Sequence, residues 1–154
     1  MLQHKKTSSK WLRRYMNMAV MVAGWSKHPE WKVGAVAWGD FGQILATAFN
    51  GWPRGMVSEE DERAKANPKS VSKTVHAESN LICNANLTNV TLLGSSAAIT
   101  LFPCSRCSLL LAQVGVAQIV VPKILPDGLK PKWTSDWKIA REILKDTGVE
   151  VTLI

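Results

Sequence analysis

Residues 97–121 read AAITLFPCSRCSLLLAQVGVAQIVV, and this stretch decides the fold class of the 154-residue chain. The apolar run Ala97–Phe102 predicts a buried strand, and Pro103 suits the first turn of a helix that continues over 105–114. Residues 118–121 predict a second strand. A strand, a helix and a strand in this order predict two parallel strands with a helix packed across them.

Six further segments of regular structure surround this unit. They are a helix from Ser8 or Ser9 to about Ser26, a hairpin with strands Val33–Trp38 and Ile44–Phe49, helices over His76–Asn86 and Trp133–Thr147, and a final strand Val149–Ile154. The hairpin is antiparallel, whereas the second half of the chain alternates strands and helices. We therefore predict an α/β fold on a mixed five-stranded sheet, with residues 50–73 forming a long loop of the kind that is often functional.

The composition fits one soluble globular unit. With 46% hydrophobic residues the chain can build one core, so we predict a single domain over residues 1–154. The chain has no uninterrupted apolar run of about 18 residues, and its N-terminus lacks the usual form of a secretory segment. Its three cysteines fit a reducing compartment better than a disulfide framework. We expect a cytoplasmic protein without a membrane partner.

The formal charge of +7 is concentrated near the N-terminus. Residues 1–32 contain seven Lys and Arg side chains against the single carboxylate of Glu30, whereas residues 33–122 are balanced. Such a segment attracts phosphates, whether they belong to a nucleotide or to nucleic acid. A solvated helix face explains the same charges equally well.

The strongest functional signal is the pattern His76-x-Glu78 followed by Pro103-Cys104-x-x-Cys107. One imidazole and two thiolates can hold a zinc ion and leave its fourth position open for a reacting molecule, as catalytic sites do. Glu78 lies two residues beyond His76, where it can exchange protons with a water molecule at the metal. A His/Cys/Cys zinc site with a Glu that is not a ligand is the signature of the zinc deaminases.

Other interpretations of the cysteines explain less. Cys104 and Cys107 alone would suit a redox pair, but no thioredoxin-like context accompanies them. Three cysteines exclude a four-cysteine zinc knuckle, and we expect Cys83 to be a buried core residue rather than a ligand. A zinc-stabilised binding protein would account for the ligands but would give Glu78 no role.

Several stretches resemble the deoxycytidylate (dCMP) deaminases of the cytidine deaminase superfamily, over nearly the whole chain. WKVGAV at 31–36 and FNGWPRG at 49–55 resemble the family's hairpin motifs, VHAESNLI at 75–82 its zinc helix, and LFPCSRC at 101–107 its second zinc segment. The zinc elements are shared with other deaminases, so it is the Asn-Gly-x-Pro-x-Gly loop that narrows the choice. The resemblance implies a three-layer fold with helices on both faces of the sheet.

The resemblance also implies hydrolytic deamination of dCMP to dUMP and ammonia, the dUMP then serving thymidylate synthesis. Glu78 would carry protons between the attacking water, ring nitrogen 3 and the departing amine. The Ala77 backbone amide would hold the pyrimidine carbonyl, and Asn50 would contact the nucleotide near its sugar. The catalytic zinc ion would have three protein ligands, namely His76, Cys104 and Cys107.

One stretch departs from the family pattern. Family members usually carry an aromatic residue, commonly Tyr, shortly after the strand that follows the second zinc helix, where it contacts substrate. Here residues 122–126 read PKILP, with Leu125 near the expected place. We take Trp133 as the candidate substitute; the alternative is a core Trp at the start of the last helix.

The dCMP deaminases resembled here are typically hexamers, activated by dCTP with Mg²⁺ and inhibited by dTTP, and the resemblance implies the same for this chain. It identifies no effector residues, although the 50–73 loop and the basic N-terminal segment are candidate phosphate contacts. The basic segment also motivates a deaminase of transfer RNA or single-stranded DNA. We favour that alternative less, because the Asn50 loop resembles the mononucleotide enzymes.

Overall fold

The computed structural model describes residues 7–56, 73–124, 126–128 and 131–154. In chain order its main elements are α1 (Ser9–Ala23), β1 (Gly34–Trp38), β2 (Ile44–Phe49), α2 (Ala77–Leu87), β3 (Ser96–Ile99), α3 (Ser105–Gln113), β4 (Gln118–Val121), α4 (Pro131–Asp146) and β5 (Glu150–Leu153). Each element of the sequence prediction is present. The last helix begins two residues earlier than predicted, at Pro131, because proline is well suited to a first helical position.

The described strands form one sheet in the order β2-β1-β3-β4-β5. β1 pairs antiparallel with both β2 and β3, whereas the β3–β4 and β4–β5 pairs are parallel. The mixed five-stranded sheet is therefore confirmed. β3 ends at Ile99, short of the predicted Phe102. Thr100 still bonds β1, because its backbone N–H donates to the Gly34 carbonyl and its side-chain oxygen accepts from the Gly34 N–H, each at 3.0 Å.

Helices cover both faces of the sheet, as predicted. Of the described helices, α1 covers one face, where its buried side chains, among them Tyr15 and Val22, meet Val36 and Trp38 of β1. The opposite face carries α2, α3 and α4, whose buried side chains, among them Leu81, pack with Ala35 and Ala37 of the same strand. Because successive strand residues alternate between faces, β1 serves both cores and all five of its residues are buried.

The glycine of the WKVGAV motif, Gly34, lies in close contact with the backbone of α1. A Cβ atom at this position would lie 2.0 Å from the Ala19 carbonyl oxygen and 2.7 Å from the Ala23 nitrogen, both in the backbone of α1. α1 can therefore approach the first residue of β1 only if that residue has no side chain. This close contact fixes α1 against the start of β1.

Two asparagines on one side of α2 hold that helix against the edge strand β2. The Asn80 side chain donates to the Phe49 carbonyl and the Asn84 side chain donates to the Thr47 carbonyl, each at 2.8 Å. The two residues are four apart, so they lie one helical turn above each other. These bonds set the position of α2, and with it of His76 and Glu78, relative to the end of β2 where Asn50 follows.

Parts of the sequence prediction lie outside the described residues. They include most of the predicted 50–73 loop, Leu125, and the basic residues Lys5 and Lys6. Of the helices in the described part of the chain, none combines the length and the apolar character that a membrane-spanning segment requires.

Candidate functional site

Two helix N-termini bring the predicted zinc ligands together. His76 immediately precedes α2, Cys104 immediately precedes α3, and Cys107 lies in the first turn of α3. The Nδ1 atom of His76 lies 3.6 Å from the Cys104 sulfur and 3.5 Å from the Cys107 sulfur. The three potential ligand atoms all lie within 4.8 Å of one another. The cluster is thus a compact group of one nitrogen and two sulfur atoms.

The cluster matches what a tetrahedral zinc ion requires. Bond lengths of about 2.05 Å to nitrogen and about 2.3 Å to sulfur place the two ligand atoms about 3.6 Å apart in a tetrahedron. The separations of 3.5 and 3.6 Å agree with this value. Within the described residues only these three His, Cys, Asp or Glu side chains form such a group. Three ligands leave a fourth position open, which is the arrangement of a catalytic site.

The three ligands differ in how readily they lose protons. The hydrogen bond with Cys107, followed by the one with His76, lowers the pKa of Cys104 to about 4, against the opposing effect of burial. The same bond and burial raise the pKa of Cys107 above its ordinary value, and the hydrogen bond with Cys104 raises the pKa of His76. A metal ion that binds here must therefore displace protons, chiefly from His76 and Cys107.

Glu78 lies beside this cluster in the first turn of α2 and is only 4% exposed. Burial raises its pKa, while its own backbone amide and His76 lower it to a smaller extent. A carboxyl group with a raised pKa can both accept and return a proton near neutral pH. Ala77, immediately before it, is fully buried, and its N–H is one of the first four of α2, which have no partner within the helix.

Asp136 of α4 anchors the turn that carries the cysteines, a role that sequence analysis missed. Its carboxylate accepts a hydrogen bond from the Ser105 backbone N–H at 2.8 Å and another from the Ser105 hydroxyl at 2.6 Å. A carboxylate at a helix N-terminus pairs with free N–H groups and with the positive end of the helix dipole. Asp136 thereby fixes the start of α3 directly after Cys104. No sequence motif marks this residue.

A pocket opens from the cluster toward the segment that precedes β1. It is lined by His28, Glu30, Trp31, Val33, Asn50, Thr74, His76, Ala77, Glu78, Leu101, Phe102, Cys104, Trp133 and Trp137. The structure thus places all the predicted substrate contacts, Asn50, Ala77 and Trp133, around one cavity with the metal cluster. Trp133 is half-buried and also packs against the core, so it has features of both interpretations that the sequence left open.

Asn50 organises the wall of this pocket. Its side-chain oxygen accepts from the Val33 N–H at 2.8 Å, and its side-chain nitrogen donates to the Trp31 carbonyl at 2.7 Å. Its backbone carbonyl accepts from the buried Ser26 hydroxyl at 2.7 Å. Since a carboxamide has two N–H groups and two lone pairs, Asn50 can hold the 26–33 segment and still contact a ligand.

The 28–31 part of this wall was not singled out as a site by the sequence analysis. His28 is 8% exposed, and burial lowers its pKa, an effect that the nearby Glu30 partly opposes. Among the described residues that line the pocket there is no Lys or Arg, and Glu30 and Glu78 are the carboxylates. The sequence held one signal for this wall, because His28 stands just before the WKVGAV motif.

Cys83 contradicts our prediction of a core residue, because its side chain is exposed. The buried face of α2 contains Ala77, Leu81 and Ala85, which are spaced four residues apart. Cys83 is two residues, or about 200°, from Leu81 and so faces the opposite side of the helix. It also takes no part in the metal cluster.

Comparison with known proteins agrees with this chemistry. Residues 9–123 match the family model described as the cytidine and deoxycytidylate deaminase zinc-binding region. A deaminase encoded in the luxG 3′ region of Aliivibrio fischeri is 35% identical over 144 residues, covering 94% of this chain and 93% of that protein. A probable deoxycytidylate deaminase of Drosophila melanogaster is 32% identical over 149 residues, covering 91% of this chain and 70% of the fly protein.

A solved structure supports the same relationship. The dCMP deaminase of the cyanophage S-TIM5, in complex with dCMP and dUMP, superposes with a TM-score of 0.76 at 27% identity. The match covers 96% of this chain and 99% of the cyanophage chain. The shared architecture therefore extends over both chains almost completely.

Proposed function

The chain belongs to the cytidine and deoxycytidylate deaminase family, and from this premise we propose that it hydrolyses dCMP to dUMP and ammonia and so supplies dUMP for thymidylate synthesis. It is a deaminase of the hydrolase class. The observation that carries the proposal is the open His76, Cys104 and Cys107 cluster with buried Glu78 beside it, at one end of an aromatic pocket. The cyanophage enzyme, which has been seen with dCMP and dUMP, supports this substrate.

The chain's own residues account for the proton transfers. A bound zinc ion would supply a Lewis acid that lowers the pKa of water to about 7. Glu78 takes one proton from the attacking water and delivers it to ring nitrogen 3 while oxygen bonds to carbon 4. It then passes the second proton to the amino group, which leaves as ammonia as the carbon–nitrogen bond breaks. Burial raises the Glu78 pKa, which favours uptake of each proton from the attacking water.

Three residues hold the substrate in this proposal. The free Ala77 N–H at the start of α2 donates to the pyrimidine carbonyl, where the positive end of the helix favours an oxygen acceptor. Trp133 packs against the nucleotide from the side of α4, and Asn50 contacts it near the sugar from the opposite wall; all three line the pocket.

The family resemblance is the basis for what we propose about regulation and assembly. We infer a hexamer that dCTP with Mg²⁺ activates and dTTP inhibits. The exposed Arg13 and Arg14 on α1 belong to the basic segment that would attract triphosphates. The three cysteines, all within the described residues, form no disulfide, so we also infer a cytoplasmic location. Activity that does not change with millimolar dTTP and Mg²⁺ would refute the regulated form of the proposal.

An ammonia-release assay tests the substrate. Zinc-loaded protein is given dCMP, deoxycytidine, cytidine, dCTP and a single-stranded oligonucleotide containing cytosine, and kcat/KM is compared. We expect the highest value for dCMP. Turnover on the oligonucleotide above that on dCMP would reverse the choice between mononucleotide and polynucleotide, and no ammonia from any cytosine compound would refute the proposed function.

A second candidate is deamination of the nucleoside, and the composition of the pocket favours it. A 5′-phosphate is a dianion, yet the described lining residues include no Lys or Arg and do include Glu30. A carboxylate repels a phosphate and accepts a hydrogen bond from a sugar hydroxyl. If this candidate is right, kcat/KM for deoxycytidine exceeds that for dCMP, and Glu30→Gln raises the value for dCMP more than the value for deoxycytidine.

A further inference from the structure

The His28 side chain is fixed by the backbone of its own loop. Its Nδ1 atom accepts a hydrogen bond from the Trp31 N–H at 2.9 Å and a second from the Glu30 N–H at 3.2 Å. The His28 backbone N–H in turn donates to the Ser26 hydroxyl, which donates to the Asn50 carbonyl. The imidazole therefore cannot rotate freely within the wall of the pocket.

These bonds decide which ring nitrogen carries the proton. A nitrogen that accepts from two N–H groups has its lone pair directed at them and carries no hydrogen. The proton of the neutral ring must then be on Nε2, so His28 presents an N–H donor. The tautomer follows from the hydrogen bonds alone.

That donor has no protein partner within the described residues. Hydrogen bonds there reach the ring at Nδ1, and none reaches Nε2. The side chain is 8% exposed and the residue lines the pocket that leads to the metal cluster, so a ligand in that pocket can replace the water that otherwise accepts from the Nε2–H.

We propose that His28 is a specificity-determining residue whose Nε2–H donates to an oxygen atom of the substrate's 5′-phosphate or to its 3′-hydroxyl oxygen. The base has its own partners at the N-termini of α2 and α3, namely the metal cluster, Glu78 and the Ala77 amide. His28 belongs to the separate segment before β1, held by Asn50, so it faces the rest of the nucleotide. The inference rests on the proposed deaminase function and adds a residue to its binding site.

Two variants distinguish the role of the Nε2–H donor from the role of Nδ1 in holding residues 28–31. His28→Asn places an oxygen near the former Nδ1 position, so it can keep accepting from the Trp31 and Glu30 N–H groups but has no atom that reaches Nε2. His28→Ala removes both functions. We expect His28→Asn to unfold at the wild-type urea midpoint and to lose roughly three- to tenfold in kcat/KM for dCMP, mostly through KM, as expected for one neutral hydrogen bond. His28→Ala should show the same kinetic loss and a lower midpoint.

A comparison of three substrates identifies the oxygen atom that accepts the hydrogen bond from His28. A loss on dCMP that disappears on deoxycytidine assigns the contact to the 5′-phosphate. A loss on both that disappears on 2′,3′-dideoxycytidine assigns it to the 3′-hydroxyl. Equal losses on all three, or a stable His28→Asn variant with wild-type kcat/KM on all three, would overturn the inference. Wild-type protein that releases no ammonia from any of them would instead refute the proposed function itself.

Discussion

Replacing Asp136 by Ala tests how α4 supports the turn that carries the cysteines. The change removes both hydrogen bonds to Ser105, at 2.8 Å and 2.6 Å, while leaving the metal ligands untouched. Loss of a helix cap typically costs about 1 kcal/mol, and hydrogen bonds to a charged acceptor are worth about 1.5–3 kcal/mol each. Since Asp136 and Ser105 are both half-buried, solvent weakens the bonds, and we expect a total loss of about 2 kcal/mol.

Urea unfolding of the zinc-loaded protein measures this loss. For a chain of this length about 2 kcal/mol corresponds to a melting temperature lower by roughly 4–8 °C. Ser105→Ala is the matched control, because it removes only the hydroxyl bond and should cost about 1 kcal/mol. The double variant should be no less stable than Asp136→Ala alone, since the hydroxyl then has no carboxylate partner.

Two results would contradict this reasoning. One is an Asp136→Ala protein within about 0.5 kcal/mol of wild type, the usual range of inconsequential surface changes. The other is full additivity in the double variant. If the cap is real, Asp136→Ala should also lose zinc to a chelator faster than wild type, because Cys104 directly precedes the capped residue.

Three further predictions concern the chemistry and the fold. Glu78→Gln should retain about one zinc ion per chain but lose roughly 100-fold or more in kcat, measured by ammonia release, because the amide cannot accept the proton; wild-type turnover would remove Glu78 from the mechanism. Zinc affinity, measured by competition with a chelator, should rise with pH across and above the ordinary His range, because the raised His76 pKa means that protons compete there more strongly; an affinity independent of pH would contradict this. Gly34→Ala should destabilise the protein by several kcal/mol in urea unfolding, because its Cβ would lie 2.0 Å from a backbone oxygen of α1, whereas Gly51→Ala, with nothing within 4 Å, should be near neutral; equal stabilities would disprove the close contact.

The order and type of the main elements could be predicted because each carries its own local signal. Pro103 and Gly115 bracket α3, and the alternation of strands and helices in the second half indicates parallel pairing. The metal cluster could be anticipated for a related reason. Its ligands lie at the starts of two helices, α2 and α3, which local patterns predict.

The remaining site residues depend on contacts between distant parts of the chain. Asp136 reaches Ser105 across 31 residues, and nothing within α4 distinguishes it from a surface carboxylate. The role of Asn50 in holding Trp31 and Val33 likewise depends on tertiary packing. Cys83 is a different case, because helical periodicity alone places it opposite Leu81 and would have corrected our prediction.

The two asparagines of α2 also restrict how this protein can associate. β2 lies at one end of the sheet, and its outward carbonyls at Thr47 and Phe49 already accept hydrogen bonds from Asn84 and Asn80. An exposed edge strand ordinarily offers such groups to a strand of another molecule. Here two of those groups are already bonded from within the chain, so β2 offers fewer free carbonyls to a strand of another copy of this protein.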